Sequence, residues 1–294
     1  MEIGRVFLVG AAKAGTTSLY QVLSRHPEIC SPLVKEPNFY SYERPGKGPG
    51  DNGTVWTTGM KQYQSLYRVG ANHRQLIDGS VSYLYSPLAP GRIRSHFPDA
   101  KVIIILRNPV DRAWSHYKHL IRDGRERLSF EEALALEAVR VSKGWEFSWH
   151  LRSMGMYSAQ VDRYFQYFGK SQVRVFLFEE LQCNFGEVVR AATDFIGLRP
   201  FEMDPEPERD NQSGRSRSRR LARMVNWAAG YKVFINKLVG PSVTHSVMQK
   251  FRALNVREGN WSFRPETRQE LKDWFRADIG KTGQLIGRDL SAWQ

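Results

Sequence analysis

Cysteine is scarce in this chain: its 294 residues include only Cys30 and Cys183. A disulfide scaffold needs several pairs, so that class is excluded, and a reducing compartment is the simpler setting. Long apolar runs are missing too. None approaches the roughly 18–20 residues of a membrane-crossing helix. The first residues lack the charged, apolar and cleavage regions of a secretory leader. A cytoplasmic protein with no membrane span is therefore expected. Acidic residues are the third shortage, 30 against 43 Lys and Arg, which leaves a net charge of +13. That balance favours anionic ligands: nucleotides, acidic glycans, nucleic acid or an anionic membrane. No helix-turn-helix, zinc or RNA-binding signature accompanies the charge. No internal repeat or interdomain linker divides the chain, so one domain over residues 1–294 is expected. Nothing in the sequence reports an oligomeric state.

What is present is ample core material, 41% apolar with 12% aromatic residues, and one stretch that organises the rest. Phe7-Leu8-Val9-Gly10-Ala11-Ala12-Lys13-Ala14-Gly15-Thr16-Thr17-Ser18-Leu19-Tyr20 begins in an apolar run, Val6 to Val9, which reads as a buried parallel strand. Gly10 breaks it. Gly15 then opens a helix, with Leu19, Val22 and Leu23 at helical spacing. Strand, glycine turn and helix start make a phosphate cradle, because a helix N-terminus offers unpaired N–H groups and partial positive charge. Thr16, Thr17 and Ser18 add hydroxyl donors and Lys13 a cation.

The spacing departs from the nucleotide-triphosphate loop G-x-x-x-x-G-K-[ST], which wants Lys directly after the second Gly. Thr16 stands there, and the Lys has moved into the loop at 13. The cradle thus reads as a site for a 5′-phosphate other than that of an ordinary nucleoside triphosphate. A tight strand–helix turn rich in small residues is the alternative.

A second block, Ala100-Lys101-Val102-Ile103-Ile104-Ile105-Leu106-Arg107-Asn108-Pro109-Val110-Asp111-Arg112-Ala113-Trp114-Ser115-His116-Tyr117, reads as a central strand followed by a helix opening at Pro109. Arg107 falls just past the strand's carboxyl end, where open α/β sheets place ligands. Arg107 and Ser115 could share one anion; alternatively Arg107 caps sheet carbonyls or pairs with Asp111. No D-x-x-G or other Mg²⁺-binding carboxylate follows this strand.

The remaining segments read more plainly. His26 before Pro27 marks a helix end and a packed imidazole. Glu36 is a lone acid beside Lys35. Residues 43–60 form a Gly/Pro-rich loop, either a lid or an insertion. Gln62 to Val69 is a short helix candidate, and Arg74 to Ser80 reads as a strand leading into a loop. Ser82 to Pro87 reads as a stretch that could line a site. Ser129-Phe130-Glu131-Glu132 is a capping box. Residues 143–156 suit either substrate packing or the core. Val161, Tyr164, Phe165 and Phe168 are a core stripe, Val173 to Phe178 a strand, and Phe185 to Ile196 a helix ended by Gly197. Residues 209–220 carry five arginines among Ser and Gly, either a phosphate grip or a solvated loop. Leu271, Trp274, Phe275 and Ile279 mark an amphipathic C-terminal helix.

The pair AAKAGTTSLY and VIIILRNPVDRAWSHY resembles the two nucleotide-binding signatures of sulfotransferases that use 3′-phosphoadenosine-5′-phosphosulfate (PAPS). KEPNFYS, RDNQSGRSRSRRL and FRADIGKTGQLIGRDLSAW resemble the heparan-sulfate-type branch and its bacterial relatives. The likeness runs nearly end to end and is weakest around 43–70 and 225–258. It implies an α/β fold: a parallel β-sheet flanked by helices, P-loop-NTPase-like, in a single domain. It also implies transfer of a sulfuryl group to a hydroxyl of a saccharide, glycolipid or natural product, with 3′-phosphoadenosine 5′-phosphate (PAP) released and no metal required. By that resemblance Lys13, Ala14, Gly15, Thr16, Thr17 and Ser18 hold the 5′-phosphosulfate, and Lys13 assists the leaving phosphate. Arg107 and Ser115 hold the 3′-phosphate. Gly214, Arg215 and Arg217, within a covering loop at 205–220, close over the nucleotide. Glu36 is the general base. Gly79 and Val81 stand where heparan-type enzymes often carry a Lys and a Pro, so a second cation on the sulfate is either missing or supplied by Lys35. Neither cysteine lies near 200–220, so the disulfide-closed loop of some heparan enzymes is absent and the acceptor does not transfer with the fold. The rival expectations are an atypical P-loop kinase, which needs Mg²⁺ and ATP, and a basic nucleic-acid-binding module, which predicts a steep salt dependence.

Overall fold

The computed structural model describes residues 3–41, 57–199, 201 and 262–294, with the backbone alone of 215–216 and 256–257. The apolar run Val6–Val9 lies inside β1 (Gly4–Gly10), whose last residues are all buried. After the loop at 11–15, α1 (Thr16–Leu23) buries Leu19, Tyr20, Val22 and Leu23. Short β2 (Ile29–Cys30) follows, then α2 (Met60–Gln64) and β3 (Gln75–Asp78). Next come α3 (Ser82–Tyr85), α4 (Ala89–His96) and β4 (Lys101–Leu106), fully buried after its first residue.

Helix α5 (Pro109–Arg122) starts at the proline read from the sequence; Asn108 caps it, its side chain accepting from Val110 N and Asp111 N. Helices α6 (Phe130–Ala135) and α7 (Glu137–Ser142) follow, the first opened by the expected capping box. Then come α8 (Tyr157–Phe168), β5 (Val173–Leu177), α9 (Phe178–Cys183) and α10 (Phe185–Phe195). A two-residue antiparallel pair joins β6 (Arg215–Ser216) to β7 (Val256–Arg257). The chain closes with α11 (Pro265–Ile286).

The five-stranded sheet runs β2-β3-β1-β4-β5, and every neighbouring pair is parallel. Parallel strands need crossover connections, which place helices over the faces. Helix α10 packs on α1 and β5, while α8 packs on β5, α4 and α11. The expected helix-flanked parallel sheet is what forms. The order also has a functional consequence. From β1 the chain moves to one side through β2 and β3, then crosses to β4 and β5 on the other. The carboxyl ends of β1 and β4 therefore flank the switch point, where the outgoing loops diverge and leave a crevice.

Several local expectations are settled here. Trp149, Leu151 and Met154 are buried in the core, so much of the aromatic 143–156 stretch packs inward. His26 is a structural imidazole: Nδ1 accepts from Glu28 N, and Nε2 lies 3.0 Å from Arg199 O. Both cysteines are free. The helix expected at 62–69 is shorter and earlier, because the chain turns after Gln64 so that Tyr67 can bridge Pro32. Trp274 leaves the stripe assigned to it. Leu271, Phe275 and Ile279 are buried, whereas Trp274 is 54% exposed with the Arg152 guanidinium 4.6 Å over its ring.

The C-terminal residues brace the switch point. Asp278 of α11 accepts from Tyr157 N at 2.6 Å and so caps α8 from outside. Tyr157 Oη then donates to Arg107 O at 2.9 Å. Asn108 Nδ2 contacts Trp293 O at 3.4 Å, and Trp293 Nε1 donates to Glu179 at 3.0 Å.

Candidate active site

The two loops at the switch point are tied together. Ala11 N donates to Ile105 O at 2.6 Å, and Arg107 Nη1 donates to Lys13 O at 2.9 Å. Arg107 thus sits against the first loop, with its guanidinium 4.4 Å from the Phe178 ring centre. That stacking fixes the plane of the fork and leaves its remaining N–H groups for another acceptor. Burial holds its pKa below the usual arginine value, so an anion there would be bound strongly.

The loop conformation needs its glycines. Gly15, the N-cap of α1, has φ +85°, and a Cβ there would sit 3.1 Å from Leu181 and 3.2 Å from Phe178. Lys13 itself has φ +71°, an uncommon region for a lysine. Among the described residues no protein acceptor takes the backbone N–H of Gly15, Thr16 or Thr17. These are the orphan donors of a helix start, unopposed because the first turn of α1 carries no acidic residue. Thr16 is buried while Thr17 and Ser18 are half-buried.

Cations converge on this loop. Burial, joined by the nearby Arg122, Arg107 and Lys35 charges and opposed by Asp123, lowers the Lys13 pKa to about 8. Lys118 is likewise held below its ordinary value by burial and by Arg107, against Asp111. Ser115, Lys118 and Arg122 recur at helical spacing on one face of α5, and all three are half-buried. Positive groups held this close, with few acids among them, repel one another in the ligand-free protein and gain most from a polyanion. A bisphosphorylated nucleotide fits the donor set: free amides and Lys13 at one end, Arg107 and the Ser115 face at the other.

Glu36 lies at the edge of the same cluster. Lys35 Nζ binds Glu36 Oε1 at 2.8 Å and stands 5.6 Å from the Tyr20 ring centre. A Cβ at position 79 would come within 2.7 Å of Tyr20 and 3.4 Å of Lys35 Cγ. The Tyr20 ring and the Lys35 stem therefore fill the room a side chain at 79 would need.

Other expectations lie outside the described residues. Gly214 and Arg217 do, as do 43–56 of the 43–60 loop and 205–214 and 217–220 of the covering loop; Arg215 is described by its backbone alone, in β6. Of the Ser82–Pro87 stretch, Ser82, Tyr83 and Leu84 are buried rather than facing a cleft.

The model of a family described as "Sulfotransferase family" matches residues 5–203. The chain belongs to the sulfotransferase family. The resemblance read from the paired signatures is borne out. This sulfotransferase superposes on one from Alicyclobacillus acidocaldarius with TM-score 0.75 and 35% identity, over 100% of this chain and 99% of that one. It is 30% identical over 203 residues to human heparan sulfate glucosamine 3-O-sulfotransferase 6, covering 68% of this chain and 54% of the relative. With mouse bifunctional heparan sulfate N-deacetylase/N-sulfotransferase 4 it shares 28% over 212 residues, 68% of this chain but only 23% of the relative. The chain thus spans about a quarter to a half of these curated relatives. The fold is also that of mouse SULT7A1 complexed with PAP, at TM-score 0.54 and 18% identity over 97% and 87% of the two chains. Among the described residues no helix of this sulfotransferase is long and apolar enough to cross a membrane.

Sequence reasoning missed four contributors. Phe178, under Arg107, was read only as the end of a strand. Arg122 and Asp123, beside Lys13, were not singled out, although the 115/118/122 spacing put Arg122 on the Ser115 face. Asp78 fell within a segment read only as a strand leading into a loop, and it is a hub of hydrogen bonds.

Proposed function

We propose that this protein transfers the sulfuryl group of PAPS to a hydroxyl of an organic acceptor, releasing PAP. The observation that carries the reading is the direct Arg107–Lys13 link, which fuses the 5′- and 3′-phosphate candidates into one basic crevice. PAPS supplies an activated sulfuryl group on a nucleotide marked by its 3′-phosphate. The Gly15–Thr17 amides and the Thr17 and Ser18 hydroxyls hold the 5′ side, and Arg107 with Ser115 the 3′-phosphate. Lys13 places positive charge beside the oxygen on which negative charge collects as the S–O bond breaks. Glu36 takes the acceptor's hydroxyl proton as the new O–S bond forms. Lys35 holds the Glu36 carboxylate on one oxygen and leaves the other for that proton. Gly214, Arg215 and Arg217 extend the nucleotide grip.

The relatives named as heparan sulfate enzymes support a saccharide acceptor. A glycolipid or a natural product bearing a hydroxyl would meet the same base. The test is transfer of labelled sulfate from PAPS across a panel of saccharide, phenol and lipid acceptors, with Glu36→Gln alongside. Glu36→Gln should lose about 10²–10⁴-fold in kcat while binding PAP within twofold of wild type. A Gln variant of undiminished turnover would sink the base assignment.

A further inference from the structure

Asp78 ends β3, paired beside Phe7 of β1, and is 1% exposed. Among the described residues its carboxylate has no cationic partner within ion-pair distance, but it accepts from several donors. Tyr83 Oη and Tyr63 Oη donate to Oδ2 at 2.8 and 3.0 Å. Ser80 N and Ser80 Oγ donate to Oδ1 at 3.0 and 2.6 Å. Each hydroxyl has a single proton, and both Ser80 and Tyr83 give theirs to Asp78. Their oxygens are left as acceptors, and both accept backbone N–H groups of one segment. Asn38 N donates to Ser80 Oγ at 3.0 Å, and Tyr40 N reaches Tyr83 Oη at 3.4 Å. That segment starts at Lys35 and Glu36.

The coupling continues to the acid itself. Asn38 has φ +54°, a conformation asparagine tolerates better than most residues. Its side chain is fixed by Ser82 Oγ, which donates to Oδ1 at 2.6 Å, while Nδ2 donates to Glu36 O at 3.0 Å. Gly79 N, next to Asp78, donates to Lys35 O at 3.2 Å. The carbonyl of Lys35 is thus held by the peptide N–H that follows Asp78, and that of Glu36 by Asn38, whose own backbone N–H is tied to Asp78 through Ser80.

We infer that Asp78 is a positioning residue for sulfuryl transfer: its carboxylate, through Ser80, Tyr83 and Asn38, sets the backbone that presents Lys35 and Glu36. The inference rests on the reading of Glu36 as the base. The sense of both relays depends on an acceptor-only carboxylate, since a protonated Asp78 would carry a donor of its own into the ring. Burial raises the Asp78 pKa to about 6 despite its donors. The groups facing it are phenols: Tyr63 of α2, Tyr67 of the turn after it, Tyr83 of α3, Tyr40, Tyr20 of α1 and Tyr164 of α8, all held above the usual tyrosine value by burial. The cation acting in this neighbourhood is Arg5 of β1, which is felt by Tyr40 and Tyr67.

The test compares Asp78→Asn, Ser80→Ala and Glu36→Gln in the full chain. PAP release from PAPS is followed with the best acceptor of the panel, and PAP affinity is measured by calorimetry. Asp78→Asn and Ser80→Ala should each lose at least about tenfold in kcat with PAP Kd within twofold of wild type. The drop in wild-type kcat on going from pH 7 towards pH 5.5 should flatten in Asp78→Asn. A group that only stabilises the fold would lower the melting temperature and leave kcat per folded molecule and the pH profile unchanged. Ser80→Ala leaves the carboxylate in place, so it speaks even if Asp78→Asn folds poorly. Ser80→Ala with kcat within twofold of wild type, or a PAP affinity that falls in step with kcat, overturns the inference. Full activity in Glu36→Gln would instead overturn the base reading beneath it.

Discussion

Replacing Lys13 by Met should make the ligand-free protein more stable while disabling it. Lys13 holds its charge among Arg122, Arg107 and Lys35, and its pKa falls from 10.5 to about 8. At about 1.36 kcal/mol per pH unit that is a cost of about 3 kcal/mol for keeping the ammonium in the folded state. Its partial solvent access reduces the figure to about 1–2 kcal/mol. The sign follows from the direction of the shift. Below pH 8 the lysine is charged both folded and unfolded, so the full cost is present at pH 7. Between about 8 and 10.5 the folded protein sheds the proton first and the cost fades. Methionine keeps the apolar stem without the charge. Melting of ligand-free Lys13→Met at pH 7 should therefore rise by about 2–3 °C for a chain of this size, and the gain should shrink towards zero above pH 10. Saturating PAP should reverse the order, because only the lysine gains from the anion. Turnover should fall by at least about a hundredfold. A Lys13→Met protein that melts lower at pH 7, or whose difference from wild type ignores pH, would refute the crowded-cation picture.

Further outcomes follow from the same geometry. Arg107→Ala should weaken PAP by about tenfold to a hundredfold, the worth of a charge-assisted contact, and leave AMP nearly unaffected; an equal loss for both nucleotides would detach Arg107 from the 3′-phosphate. Gly79→Ala puts a methyl 2.7 Å from the Tyr20 ring and should cost about 1–3 kcal/mol by overpacking, read in urea titrations. It should also lower kcat by displacing Lys35, and a neutral variant would show that Tyr20 and Lys35 have slack.

How much was legible depended on whether the cause was local. The runs at 6–9 and 102–106 are continuous and apolar, which a strand buried on both faces requires, so the two central strands could be read directly. Pro109 and the Ser129 capping box fixed helix starts for reasons contained within a few residues. The Lys13–Ser18 loop and Arg107 could each be named from sequence, and their meeting is what the strand order adds: β1 and β4 are neighbours although about ninety residues separate them. Trp274 was misplaced because its spacing from Leu271 fits a core stripe, while Arg152, a residue from another element, decides its surroundings. Asp78 was invisible for a related reason. Its donors come from Tyr63 and Tyr83 on two different helices, and a lone acid at a strand end gives no hint of them. That the Tyr20 ring and the Lys35 stem occupy the space beside Gly79 needed the fold, since neither neighbour adjoins it in sequence.

The central claim is that one basic crevice, built by the Lys13 loop and Arg107, reads a nucleotide carrying both a 5′- and a 3′-phosphate. Calorimetric titration of the protein with PAP, ADP and AMP under one buffer tests it most directly. PAP should bind at least about tenfold more tightly than either competitor, the share of affinity owed to the 3′-phosphate, and its binding near pH 8 should take up protons as Lys13 regains its charge. Equal affinity for PAP and AMP, with no proton uptake, would contradict the account.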